Sequence, residues 1–247
     1  RQAGDAAKPR ADGGDAGGAG GKYVPPAVRA RLAAEAAGGG TGTGASTGVT
    51  RRITGLVNRL AEANMQGIVK DVAGLYATEG RRAVISVVTE QILSAASEGP
   101  RATEQFAATA AAFIAACAGT CSSSELAATF LSGVAERLQL AYKQKDSLAM
   151  GNLVRVLAHT YAVSLVRSEV LYSFLEAAKA RLTEADIDMI VALLGSVGMQ
   201  LRNEDPAAMK EFVLGVHSRA AELGAQGALT QRARMMLDLV VDIKNNR

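Results

Sequence analysis

The stretch VTRRITGLVNRLAEANMQGIVKDVAGLYAT, Val49 to Thr78, decides the fold. Ile53, Leu56, Val57 and Leu60 recur at i, i+3, i+4 and i+7, the spacing that places apolar side chains on one helix face. Arg51, Arg52, Asn58, Arg59 and Glu62 point elsewhere and make a polar back. Asn64 suits either a left-handed exit from this helix or the cap of the next one. Ile68, Val72, Leu75 and Tyr76 then repeat the same spacing, so two amphipathic helices follow one another with their stripes facing. A lone hairpin buries apolar surface on one side only, and further pairs have to stack on it.

The downstream chain supplies them. Arg82 to Ser97 turns Val84, Val88, Ile92 and Leu93 inward and stops at Gly99-Pro100; Ala102 to Ala118 packs through Phe106, Ala110, Phe113, Ile114 and Cys117. Ser122 and Glu125 read as a capping box opening a fifth helix with the stripe Leu126, Phe130, Val134, Leu138 and Tyr142. A sixth runs from about Ser147 to Val163, and a seventh, Ser168 to Arg181, uses Val170, Leu171, Phe174 and Leu175. Thr183 with Asp186 caps the eighth, and Asp205-Pro206 starts the ninth as an N-cap followed by proline at the first helical position. The tenth, Leu229 to Lys244, buries Met236, Leu237, Val240, Val241 and Ile243 and turns Arg232, Arg234 and Asp238 outward. Ten helices over residues 49–247 give about 40 residues per pair, the period of HEAT-like repeats. The expected fold is all-α: an α-solenoid of five antiparallel helix pairs. A compact bundle is the competing topology, and the short connections favour stacking.

Composition agrees. The 247 residues are 49% apolar and 4% aromatic, and the five prolines fall at element boundaries or outside the periodic segments, which leaves helix interiors unbroken. The longest nearly apolar run, Phe106 to Ala118, falls short of the roughly 20 residues that span a bilayer. Residues 1–48 form a Gly- and Ala-rich tail that buries too little to order itself, expected to be disordered. It contains one distinct strip, KYVPP, in which Tyr23, Val24, Pro25 and Pro26 suit an extended docking segment or a linker. The chain starts with Arg and has no signal sequence at its beginning, and is read as a fragment. Its net charge of +3 divides into six cations against four anions in the tail and 21 against 20 in residues 49–247. Any basic site in the folded part must therefore come from local clustering.

Catalytic and metal chemistry finds little to work with. Cys117 and Cys121, spaced C-x3-C, have neither a second cysteine pair nor a nearby histidine to complete four ligands, and read as free thiols. GGGTGTGASTG, Gly38 to Gly48, lacks the Gly-Lys-Ser/Thr ending of a phosphate loop. His159 lies on an inner stripe and reads as a satisfied core or groove residue, while Glu184, Asp186 and Asp188 mark a helix N-terminus. No enzyme, metal or cofactor is expected.

Three segments carry a resemblance: NRLAEANM at Asn58 to Met65, LLGSVGMQLRNEDP at Leu193 to Pro206, and QRARMMLDLVVDIKNNR at Gln231 to Arg247. They are similar to segments of the MIF-four-G family, the middle domain of the large translation-initiation scaffold, and within it to the nucleolar branch that serves small-subunit ribosome assembly. KYVPP ahead of the first helix adds to the likeness. The resemblance implies a non-enzymatic scaffold that grips both lobes of an initiation-factor-type DEAD-box RNA helicase and stimulates it, with a pre-ribosomal particle and its pre-rRNA as the setting and the nucleolus as the place. Carried over residue by residue, it implies one helicase patch at Asn58, Arg59, Glu62 and Asn64 and a second at Arg202, Asn203, Asp205, Arg232, Arg234, Asn245 and Asn246. Asn64 and Asp205 cap helices whatever else they do, and Asn245 suits a C-cap. Two alternatives stay open: a spliceosomal or translational scaffold of the same fold, and a helicase-independent peptide-binding repeat module.

Overall fold

The computed structural model describes the backbone of residues 43–227 and 229–245, with side chains described between 47 and 240. Ten α-helices make up these residues, and no strand occurs among them: α1 Thr43–Val57, α2 Met65–Thr78, α3 Arg81–Glu98, α4 Glu104–Thr120, α5 Ser124–Gln144, α6 Ser147–Ala162, α7 Ser168–Arg181, α8 Glu184–Glu204, α9 Pro206–Ala225 and α10 Gln231–Asn245. A 3-10 turn, Glu62–Asn64, interrupts the first hairpin. Consecutive helices pair into five hairpins, and each hairpin stacks on the next.

The stacking has two layers of different continuity. The even helices form one unbroken series in which α2 packs on α4, α4 on α6, α6 on α8 and α8 on α10. The odd helices form two shorter runs, α1–α3–α5 and α7–α9, with no packed seam between α5 and α7 among the described residues. Helix α6 bridges that interval by packing against α3, α4, α5 and α8. Its sequence explains the role: ten of its residues are buried, on more than one face, including Leu153, Val154, Val156 and Tyr161. Phe113, Phe130 and Phe212 are the largest wholly buried side chains. Beside Phe113, the alanines 107, 110 and 111 of α4 are also buried, and small side chains at those positions let neighbouring helices approach closely.

Local chemistry sets the helix ends. Thr103, Ser123, Asp146, Thr183 and Asp205 each accept a backbone N–H at the start of the helix that follows. Thr183 and Asp186 complete the expected capping box. The cap of α5 is Ser123 rather than Ser122, which sits at φ +48° and turns the chain into the cap position. Three further expectations shift. Leu60 leaves the helical stripe, because α1 ends at Val57 and the next residues close tighter turns, Arg59 N–H to Leu56 and Leu60 N–H to Val57. Val170 is 47% exposed rather than inward, since α7 has no neighbour α5 to cover that side. Finally, α1 begins at Thr43, inside the glycine-rich spacer, because burying Val49 and Ile53 against α3 outweighs the poor helix propensity of Gly44 and Gly48. The strip Tyr23 to Pro26 lies outside the described residues, as does the rest of the tail before Thr43.

Polar ties lock neighbouring hairpins in register. Asn152 of α6 is wholly buried and satisfies the α3–α4 connection: its Oδ1 accepts the Ala102 N–H at 2.8 Å, and its Nδ2 donates to the Ala96 and Pro100 carbonyls at 3.0 Å each. On the odd layer, Arg137 of α5 reaches Glu90 at 2.6 Å, the Ser97 hydroxyl at 2.7 Å and Glu98 at 3.5 Å, all on α3. On the even layer, Glu104 of α4 accepts from Ser196 of α8 at 3.1 Å and pairs with Arg155 and His159 of α6 at 3.3 and 2.8 Å. Between the third and fourth hairpins, wholly buried Asp186 accepts from Tyr142 at 3.2 Å and from Arg181 at 2.6 Å, with the Arg181 guanidinium 5.0 Å from the Tyr142 ring centre.

Replacing Asn152 with Ala orphans one buried N–H and removes a partner from two carbonyls, so stability should fall by about 2–4 kcal/mol in urea unfolding. The hydrogen bond from Arg137 holds the Glu90 carboxyl below its usual range. Burial raises that of Glu104, but His159, Ser196 and Arg155 outweigh it and the net displacement is also downward. Both groups therefore stabilise the fold above their ordinary pKa of about 4.5, and that contribution disappears as pH falls through the lower folded values. The double variant Glu90→Gln/Glu104→Gln should accordingly be less stable than the parent at about pH 7 and converge on it near pH 3, measured by chemical denaturation.

Candidate functional site

The turns inside hairpins lie along one edge of the stack, and contacts join them in sequence. Gln105 at the start of α4 donates to Glu62 in the first turn at 3.1 Å. Asn152 at the start of α6 holds the second turn, and Tyr142 at the end of α5 meets the fourth. At the fifth, Thr230 bonds Glu184, and Arg232 holds both carboxylate oxygens of Asp188 at 3.0 Å. The turns between hairpins occupy the opposite edge, where Arg52 reaches Glu79 and Glu204 accepts from Ser168 and Tyr161.

This geometry brings together the first patch and divides the second. Asn58, Arg59, Glu62 and Asn64 are all exposed on the first intra-hairpin turn. Their roles differ. Asn64 uses both ends of its amide within the turn, accepting from the Ala61 N–H at 2.8 Å and donating to the Arg59 carbonyl at 2.6 Å. It is neither a left-handed exit nor a side-chain cap of α2; its φ is −115° and it staples the loop. Glu62 is tied to α4 through Gln105, and Arg59 donates its Nε to the Gly55 carbonyl at 2.9 Å, which leaves the terminal guanidinium nitrogens outward. Asn58 donates its backbone N–H to the Thr54 carbonyl at 2.9 Å and has its side chain exposed.

Of the second patch, Arg232 and Arg234 lie at the start of α10 on the same edge as the first patch. Arg202, Asn203 and Asp205 lie at the far end of α8. Asp188, which Arg232 grips, is sixteen residues from Glu204, so the two groups are separated by roughly 24 Å along the helix. Because α10 starts beside the start of α8 and runs parallel to it, Asn245, its last residue, falls on the Arg202 side; Asn246 lies outside the described residues. Asp205 caps α9 by accepting the Ala208 N–H at 2.8 Å. Arg202 and Asn203 line an open hollow of about 640 Å³ with Pro206, Met209 and Lys210. Arg234 is exposed and enters no ion pair among the described residues, whereas Arg232 docks α10 onto α8. One edge thus carries exposed polar groups on its first and last turns. Four interhelical steps, from α2 to α10, separate them by up to about 35 Å.

Two features of the polar surface escape the sequence reading. One is the Glu104 cluster, where an ionised carboxylate can only accept, so His159 Nε2 carries the proton. Arg155 and His159 are legible as an i, i+4 pair, but nothing in sequence links them to a carboxylate some fifty residues earlier. The other is a groove between α1 and α2 lined by Arg51, Arg52, Arg59 and Lys70. The i, i+7 relation of Arg52 and Arg59 was its only signal in the sequence. Neither feature assembles a reactive pair. Burial pushes the Cys117 thiol up to about 12, which keeps it an inert core side chain. No cluster of His, Cys, Asp and Glu suited to a metal occurs among the described residues, and no helix among them is long and apolar enough to cross a membrane.

The chain is similar to known proteins over most of its length. The model of the MIF4G domain family matches residues 50–247. The human nucleolar MIF4G domain-containing protein 1 is 27% identical over 230 residues, covering 93% of this chain and 26% of that protein. Its Drosophila melanogaster homolog is 28% identical over 240 residues, covering 94% of this chain and 28% of that protein. Suppressor of glycerol defect protein 1 of Schizosaccharomyces pombe is 25% identical over 234 residues, 92% of this chain and 29% of that protein. The chain spans little more than a quarter of the length of these relatives. With a family match over four-fifths of its length, this chain belongs to the MIF4G domain family.

Proposed function

We propose that this domain is a non-enzymatic scaffold of the nucleolus that binds and stimulates an initiation-factor-type DEAD-box RNA helicase during small-subunit ribosome biogenesis and 18S pre-rRNA processing. The observation that carries the reading is the pairing of a rigid helical stack with exposed polar turns at both ends of one edge, in a chain whose relatives are named nucleolar MIF4G proteins. A two-lobed motor changes conformation by moving one lobe against the other. A scaffold shifts that equilibrium only by the difference in its affinity for the two arrangements, which requires it to touch both lobes and to resist bending itself. The first turn, through Asn58 and Arg59, supplies one contact. Arg234, with Arg232 beside it, supplies the other. Arg202, Asn203, Asp205 and Asn245 face the opposite edge and serve a helicase only if a lobe wraps around the last hairpin. Tyr23 to Pro26 would act as a tether ahead of the domain.

The test is retention of an initiation-factor-type helicase from nucleolar extract on the immobilised full chain, with the helicase's ATPase rate as second readout. Arg234→Glu leaves every ion pair among the described residues in place and should lower retention at least roughly tenfold, about 1.4 kcal/mol; Asn58→Ala/Arg59→Ala should do the same from the other end. Arg232→Glu is the less informative variant, because it sets two carboxylates against each other at the α8–α10 contact and loosens α10 as well. Full retention and full ATPase stimulation with both ends altered would refute the two-ended grip.

A further inference from the structure

Exposed apolar side chains gather on the outer face of the even layer. Leu148 of α6, Met199 of α8 and Leu239 of α10 are 42%, 42% and 45% exposed, and Met235 stands beside the last of them. Helical spacing puts them on a shared surface. On α8, Asp188, Ala192, Gly195 and Met199 fall at i, i+4, i+7 and i+11; on α10, Arg232, Met236 and Leu239 fall at i, i+4 and i+7. Because Arg232 binds Asp188 and the two helices run parallel, these stripes lie side by side. At their head, where α6, α8 and α10 come together with the start of α4, is a hollow of about 430 Å³ whose apolar walls include Leu148, Val191, Ala192 and Met236.

We propose that this face docks an amphipathic helix of a partner protein, its apolar stripe lying on α8 between Val191 and Met199 and its acidic residues turned toward Arg101. Shape, backbone and charge select that occupant. Leucine and methionine side chains left in water offer the anchors a protein contact is built around, and methionine adapts its shape to an incoming apolar side chain. No strand occurs among the described residues, so there is no sheet edge for an extended peptide to join, and a helix laid into a groove is the mode the surface allows. The stripe from Val191 to Met199 is eight residues, or about 12 Å, long and matches roughly two turns of such a helix. Arg101, Arg155 and Arg232 line the hollow with Glu104 and Asp188 as its carboxylates. Arg155 is paired with Glu104 and Arg232 with Asp188, whereas Arg101 is exposed and enters no ion pair among the described residues. A carboxylate on the partner would complete it. A nucleic-acid backbone would instead meet an apolar floor and two carboxylates.

The floor supports the same assignment. Gly195 is exposed in the interior of α8, where glycine is a poor helix former. It has no positive φ, and a Cβ added to it would meet nothing within 4 Å. Neither packing nor backbone conformation requires glycine there; its effect is to let a second helix approach closely.

The site does not depend on the helicase grip and shares only Arg232 with it, so the variants leave Arg232 unchanged. The test is selection of a displayed library of random peptides of about 16 residues, roughly four helical turns, against the full chain, with the affinity of enriched peptides then measured by fluorescence anisotropy. Enriched sequences should be net acidic and carry apolar residues at i, i+3 or i+4, and i+7. Leu148→Glu/Met199→Glu should weaken their binding at least about tenfold. Arg101→Glu should also weaken it, by a factor that shrinks as salt is raised. Gly195→Gln should weaken binding while leaving thermal stability equal or higher, which separates damage to the site from damage to the fold. A control at an exposed leucine of the other layer, Leu214→Glu, should leave affinity unchanged. No enrichment, enrichment of basic peptides or of peptides without helical spacing, or affinity unaltered by the groove variants overturns the proposal. So does loss of helicase retention in Leu148→Glu/Met199→Glu, which would make the face a helicase contact, or a parent chain that light scattering shows to be a dimer and that variant a monomer, which would make a second copy the occupant.

Discussion

A helical hairpin covers one side of its own apolar surface and leaves the other bare, and every larger feature of this domain follows from how that bare side is closed. Each hairpin is covered by the next, and the even helices carry the closure without a break from α2 to α10. Where the odd layer opens between α5 and α7, α6 takes up the contact, and its burial on several faces is the sequence's provision for that position. A wholly buried asparagine at the start of the same helix then fixes the adjacent turn, so the densest packing and the most demanding polar satisfaction coincide at the middle of the stack.

Such a stack communicates stiffness rather than chemistry. Its interhelical polar contacts run mostly between neighbours: Arg137 to α3, Glu104 to α6 and α8, and Asp186 to the end of α5. Each is partly or wholly desolvated on at least one side, which fixes register more than it adds stability. Contacts of this kind set the distance between the two ends of the stack. That property suits a scaffold whose effect on a partner depends on holding two separated contacts at a set distance.

Ion pairing divides the cations into two kinds. Arg137, Arg155, Arg181 and Arg232 are each held by a carboxylate, whereas Arg51, Lys70 and Arg234 enter no ion pair among the described residues. Arg232 illustrates the difference. From sequence it looks like Arg234, an outward arginine at the head of the last helix, yet its guanidinium is used to dock α10 against Asp188. Two arginines separated by one residue thus serve the fold and the surface respectively.

Helix number, hairpin pairing, the Thr183 and Asp205 caps and nearly all core positions were legible from the chain, because apolar spacing and capping residues act over three or four positions and are written locally. Thr183 with Asp186, Asp205 with Pro206, and the buried Leu126, Phe130 and Val134 are of that kind. What required the tertiary structure was set by residues far apart in sequence. Packing against α3 drew Gly44 and Gly48 into α1, the missing α5–α7 seam exposed Val170, and the parallel run of α8 and α10 put Arg202 and Arg232 on opposite edges. The basic groove has the same origin: Arg51 and Lys70 become neighbours only because the first turn folds one helix back on the other. Local periodicity determines which face of each helix is buried, whereas the partner that buries it, and hence what the remaining face presents, is decided by contacts between hairpins.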